Sequence, residues 1–587
     1  MAEHLQQDTR IANSHRIASA LTAGNIVTIA IQLFRKQSDD YITTSLQSNL
    51  WFFLTILGAS CLGGVGYVLG QSLGFGWTNI VLLVVVFSLP LLAYGRGRKI
   101  ATGGMLSRII FNQLINRSET KTEIQQRIFP RIWAYFRAEL LFWLVLSGIY
   151  VGFAFILGFI LRTLFSSVRA QDIIDFFINT EFNVSSLLTL IATIGLFLLL
   201  YIGVILFFSY FVARLWLFDV MIALEDVTAI QAITRSWQLT RTQGWQSLAV
   251  VLICGLLLIP PFLVSSSLSF FGVFGLLFVA IMAFPLYQAT KAVMYYDLRS
   301  RNEGLTFDLN IVAKNPQTQL QRVILQTPES IELDLSLGGI GSRALAWAID
   351  QFLLWIGIFL FWYFGSVLYL TILLPILTHS FSAFKSGDLN QWVEAIAAFL
   401  TFILSNGYFI AFETFWQGQT PGKRVVRIRV VRDSGQPVGI KESSIRSLLS
   451  TVDVFFFFIG VLLIGVTKSE KRLGDLVAGT LVIQNQQQGT NTNHYPLDFS
   501  PHSSHISETL MDKTNIEALT PDQFLTLRDF LGYRSRLAVG MRSQTTTKLA
   551  NQIRQLLGPN NQPLSLGIDD LELVEATYLA CQQANQS

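Results

Sequence analysis

Arg343 and Asp350 open a long apolar run that continues through Leu360. On a helix their spacing leaves them within about 20° of one face and roughly 10 Å apart along the axis. The arginine can reach back to the membrane surface, which puts the carboxylate about two turns deeper. An acid at that depth is costly and by default marks a functional or a partnered position. Desolvation makes a carboxylate hold a proton or cation more readily, so one reading is an ion or proton site. The other is an anchor between helices, with Asp350 bonded to an arginine or a backbone amide, and this is the reading favoured. Asp453 stands between Val452 and the run Val454 to Phe458. Facing Asp350, it would share a proton or cation, because two close like charges do not both stay ionised unaided. At the membrane surface it would instead cap a helix N-terminus. Asp475 sits between Gly474 and Gly479 without the lysine, serine and strand–helix setting of a phosphate loop, which leaves a tight turn. Lys423, Arg424, Arg427 and Arg429 make a basic patch beside an apolar segment. Attraction to anionic lipid, worth about 1 kcal/mol per charge, and orientation in the membrane explain that patch equally well.

No serine–histidine–aspartate, metal-protease or paired-cysteine pattern is present, so no catalytic activity and no cofactor are expected. Cys61 and Cys254 fall in apolar runs, and with Cys581 they imply no disulfide framework. His494, His502 and His505 lie in a polar stretch that gives a metal nothing rigid to bind. Glu225 and Asp226, with Arg214 and Arg235, read as the solvated face of an amphipathic segment.

The elements that must position these acids lie in lipid. Of 587 residues, 51% are hydrophobic and only 14% charged, where a soluble domain carries about 25% charge. The mean hydropathy is +0.48. The fold class is therefore an all-α polytopic membrane protein with about nine transmembrane helices. Six are expected near 50–70, 77–94, 140–161, 187–212, 248–264 and 270–286, and about three more near 344–377, 393–412 and 448–466. Lys and Arg concentrate in 96–137, 214–241 and 291–343, which by the positive-inside rule puts the N-terminus in the cytoplasm of a cell-membrane protein. Basic residues flank both ends of 448–466, so a re-entrant pair is weighed against a single crossing. Arg427 to Arg432 alternates apolar and basic residues, and Asp433 to Gly435 supplies a turn, the signal of a small cytoplasmic β-hairpin. Thr520, Pro521 and Gln523 mark a helix start. The expected units are a cytoplasmic segment 1–49, a six-helix membrane domain 50–298, a linker 299–337, a second membrane domain 338–483, a flexible linker 484–516 and a helical tail 517–587.

Three stretches resemble the RDD family of membrane proteins: Gly341 to Asp350, Thr420 to Val431 and Arg472 to Thr480. The family is named for one arginine and two aspartates. The resemblance maps these onto Arg343 and Asp350, and onto either Asp453 or Asp475. It implies an integral membrane protein, with transport of a small solute or cation as the usual suggestion. Ala223 to Trp245 in the first half resembles the membrane domain found beside glycerophosphodiester phosphodiesterases, although no phosphodiesterase domain accompanies it. The expected partner is the lipid bilayer, with a cytoplasmic protein left open and no nucleic acid. Two readings of function follow: a transporter using intramembrane carboxylates, or a membrane scaffold docking cytoplasmic partners.

Overall fold

The computed structural model describes residues 21–164, 184–267, 272–309, 316–326, 332–373, 376, 386–455, 470–485, 499–514, 516, 519–534, 539–558 and 567–584. Thr22 opens the first helix, Ala23–Lys36, by accepting from the Asn25 N–H, and Arg35 and Lys36 close it where cations suit the helix dipole. The sequence reading assigned this stretch to a polar cytoplasmic segment. Instead Ile26, Val27, Ile29 and Ala30 are wholly buried. The helix packs against Gly244–Ser267, Gly272–Glu303 and Ile340–Leu368, so it wedges between the two halves of the chain. Its polar residues meet protein partners in place of water: Asn25 bonds Gln484 and Ser342, Thr28 bonds the Gly341 N–H, and Gln32 bonds Glu470.

The chain is an integral, multi-pass membrane protein by the length and apolarity of its helices. Among the described residues six helices suffice to cross a bilayer: Ser38–Ser72, Trp77–Leu114, Lys121–Phe159, Leu200–Glu225, Ile340–Leu368 and Ala395–Phe415. A seventh crossing results if Ala229–Leu239 and Gly244–Ile259, bent by 105°, form one span. The expected nine would also need Gly272–Glu303 and the run 448–466. Of that last run only 448–455 is described, as the end of the helix Ile440–Phe455; residues 456–469 lie outside the described residues. Its flanks are nevertheless in contact, with Arg472 Nη1 3.5 Å from Ser450 Oγ.

Several basic residues read as loop charges are in fact core. Lys291 reaches both oxygens of Asp219 at 2.9 and 2.8 Å, and both side chains are buried. Gln288 joins Asp219 to Ser107. Arg108 bonds Glu119 and the Ala223 carbonyl. Arg214, expected on a solvated face, is buried against the Trp237 ring and donates to the Trp237 carbonyl.

A first antiparallel pair joins β1 (Arg322–Gln326) to β2 (Glu332–Ser336). The strand of the expected hairpin forms next, as β3 (Ile428–Arg432), but its partner is distant. It pairs antiparallel with β4 (Thr480–Gln484), and only a single bridge, Val431 to Pro437, follows the turn. The turn itself is made, with Gly435 N–H donating to the Arg432 carbonyl. Pro437 cannot continue a ladder, and β4 brings Leu481 and Ile483 to an apolar cluster with Val431. The two strands end two similar units. Helix Pro421–Val426, a left-handed residue at Arg427 and β3 match helix Leu473–Ala478, a left-handed residue at Gly479 and β4. A positive φ precedes each unit at matching places, Gly418 and Glu470. Val430 pairs with Val482, its own counterpart, so the sheet sits on a local pseudo-dyad.

The tail is helical from Pro501–Lys513 onward, earlier than the flexible linker 484–516 would allow, because Ser503, Ser507 and Leu510 are buried. Thr520 and Gln523 form the expected capping box on Pro521–Tyr533. Phe307 and Leu309, just past the end of Gly272–Glu303, belong to the core of this tail.

Candidate functional site

The carboxylate of Asp350 meets three donors, none of them charged. Tyr408 Oη donates to Oδ1 at 3.0 Å, Gly422 N–H donates to Oδ1 at 2.8 Å, and the Thr420 hydroxyl donates to Oδ2. Thr420 also caps helix Pro421–Val426 by accepting from Lys423 N–H. That helix start is pressed onto Ile340–Leu368: a Cβ on Gly422 would lie 2.2 Å from the Ala346 carbonyl oxygen and 2.8 Å from Asp350 Cγ. Asp350 thus ties three elements together, and the anchor with a backbone amide is the geometry found.

Beside it runs a chain of alternating charges. Lys423 binds Glu413, Glu413 accepts from Arg446 Nε at 3.2 Å, and Arg446 binds Asp475. Asp475 also takes Arg343 Nη1 at 3.0 Å and Arg472 Nε at 3.3 Å. Arg343 therefore pairs with Asp475 and not with Asp350. Burial alone would raise the Asp475 carboxyl, but Arg446, Arg472 and Arg343 hold it well below the usual carboxylate range. Asp475 is an ion-pair hub inside the short helix Leu473–Ala478, which Gly479 ends. Lys423 and Asp475 occupy matching positions of the two similar units with opposite charge.

Lys423 therefore does not face lipid: its side chain is buried against Glu413. Arg424 and Arg427 are exposed, with Arg424 over the Trp416 ring, and Arg429 is half-buried. Asp453 does not cap a helix N-terminus either. Its helix, Ile440–Phe455, begins far upstream, where Glu442 accepts from the Gly439 N–H.

Asp350, Asp453, Glu413, Lys423, Arg343, Arg446 and Arg472 all border one cavity of about 190 Å³. Leu256, Leu257 and Ile259 of the first half close it, facing Trp347 and Phe409 of the second. Two buried polar atoms at its margin have no hydrogen-bond partner among the described residues: Arg343 Nη2 and Asp453 Oδ1. No hydrogen bond joins Asp350 to Asp453 among the described residues.

Residues 337–479 match the model of the RDD family. The chain carries an RDD domain. Its bounds take in Arg343, Asp350, Asp453 and Asp475, and they leave out the first half and the tail. No curated protein and no solved structure matches the chain. Within the RDD domain the sequence reading missed Thr420, Tyr408, Glu413 and Arg446. The last two flank apolar runs, where a charge looks like a topology marker.

Proposed function

We propose that this protein moves a small solute or cation across the cell membrane through the cavity at the join of its two halves. Asp453 stands in the path and Asp350 fixes the helices around it. The observation that carries this reading is the cavity bordered by Asp453, whose Oδ1 is buried without a partner among the described residues. A buried acid left open at a cavity is worth keeping only if something meets it there. The distribution of Lys and Arg supports a cytoplasmic N-terminus. No catalytic step is proposed.

Proteoliposomes loaded with a pH-sensitive dye and given gradients of sodium, potassium and a small organic ammonium in turn test the reading. Flux is expected with the native chain and about tenfold less with Asp453→Asn. Asp350→Asn, scaled to folded protein, is expected to keep most of it. Native vesicles no faster than empty ones would remove the idea. A scaffold is the second reading, favoured by Phe307 and Leu309, which fasten the tail next to a membrane helix as a fixed platform. It expects a cytoplasmic partner that co-purifies and is lost on deletion of 517–587.

A further inference from the structure

The lining of the cavity bears on which kind of cation would fit it. Leu256, Leu257, Ile259, Ile340 and Val482 offer no ligand atoms, and Trp347 and Phe409 offer ring faces. A bare metal ion needs several oxygen ligands at once. At this site Asp350 is already filled by Tyr408, Thr420 and Gly422, and Glu413 by Lys423 and Arg446. Among the described residues no three His, Cys, Asp or Glu side chains gather as a metal site would require. Arg343 Nη2 is open as well, but its guanidinium is already neutralised by Asp475, so the open carboxylate of Asp453, a largely apolar surface and aromatic faces are the fittings for an ammonium on an apolar body. The charge pairs with the acid, the rings attract the cation face, and the walls take the hydrocarbon.

We infer that the cavity takes a protonated organic amine with an apolar body, its ammonium on Asp453 and its hydrocarbon between Leu256, Leu257 and the rings of Trp347 and Phe409. This rests on reading the cavity as a solute site and names the class of solute. The arrangement also assigns the two halves different tasks. The RDD domain supplies the charge, and the helix Gly244–Ser267 supplies the wall that fixes how large the apolar body can be.

Calorimetric titration of the purified full chain with 2-phenylethylammonium, 3-phenylpropionate, sodium and potassium tests this. The first two probes share one apolar body and differ in the sign of their charge, so the native chain alone separates the effect of charge from that of shape. The amine is expected to bind and the acid not. Asp453→Asn is expected to weaken the amine at least about tenfold, the loss of one charge-assisted contact. Leu257→Trp, which fills the wall, is expected to abolish binding. Equal binding of amine and acid would overturn the inference, since charge would then play no part. Sodium or potassium binding that needs Asp453, with none by the amine, would overturn it while leaving the solute site standing. Binding by none of the four would remove both.

Discussion

Glu413 carries more of the RDD domain than any sequence motif suggests. Among the described residues it is the one carboxylate that Lys423 and Arg446 both touch, and all three side chains lie inside the protein. Removing an acid from such a chain strands its cations in a medium that solvates them poorly, which costs about 3–5 kcal/mol. Glu413→Gln is therefore expected to lower stability by about 3 kcal/mol, read as a fall in the melting temperature of the detergent-solubilised chain. Glu413→Leu combined with Lys423→Met is expected to recover part of the loss, because the stranded ammonium goes with it. A Glu413→Gln chain as stable as the native one would mean the pairs contribute nothing. Asp350 was legible in the sequence because it interrupts an apolar run from within, and Arg343 because it opens that run on the same helix face. Glu413 and Arg446 were not, since a charge at the edge of a span has a sufficient explanation in topology. Pairing across 33 positions of chain, as between Glu413 and Arg446, leaves no local trace.

The helix Ala23–Lys36 shows how closely the elements must approach. Its Gly24 lies on the start of Ile340–Leu368: a Cβ there would fall 2.5 Å from Ser342 Cα, and one on Gly341 would fall 2.4 Å from the Gly24 carbonyl oxygen. Backbone meets backbone at this crossing, so no side-chain rotation can relieve an added group. Gly24→Val is expected to force the wedge away from the RDD domain, breaking the Asn25 to Ser342 and Thr28 to Gly341 bonds, at a cost of about 2–3 kcal/mol. Faster proteolysis between residues 1 and 50, or a lowered melting temperature, checks it; an unchanged chain would show that the crossing has slack. Long, strongly apolar helices were legible at this scale, because composition alone decides them. The wedge was not, because its polar residues are satisfied by a distant half of the chain. β3 was legible as a strand, but its partner β4 was not. A local turn signal at Asp433 to Gly435 points to the nearest strand, whereas the burial of Leu481 and Ile483 decided the pairing.

At the scale of the molecule, the tail has a core of its own that Phe307 and Leu309 join to the membrane helices. Lys548 and Gln552 add bonds to Asp308 between those two residues. The tail is thus held by a short connection, and its stability sets how firmly the C-terminal end is organised. Asp529 and Glu575 make that stability depend on pH in opposite directions. Asp529, on Pro521–Tyr533, is pushed up to about 6 by burial, which Arg528 at 3.4 Å only partly offsets. In the unfolded chain an aspartate titrates near about 3.9. The folded tail therefore holds this proton more tightly than the unfolded one. The stabilisation is complete below about pH 4 and is lost as pH rises through about 6, on the order of 3 kcal/mol. Glu575 works in the other direction. Burial opposes it, yet bonds from Ser503, the Ser500 N–H and Arg534 hold its carboxyl below the ordinary range, so its contribution fades as pH falls. Comparing two chains separates the effects. Hydrogen exchange of 521–557 in the intact protein, corrected for intrinsic rate, is expected to show the native tail losing protection between pH 4 and pH 7 relative to Asp529→Asn. If the two chains keep a constant difference across that window, Asp529 does not bind its proton more tightly in the fold, and the tail responds to pH through Glu575 and its neighbours alone.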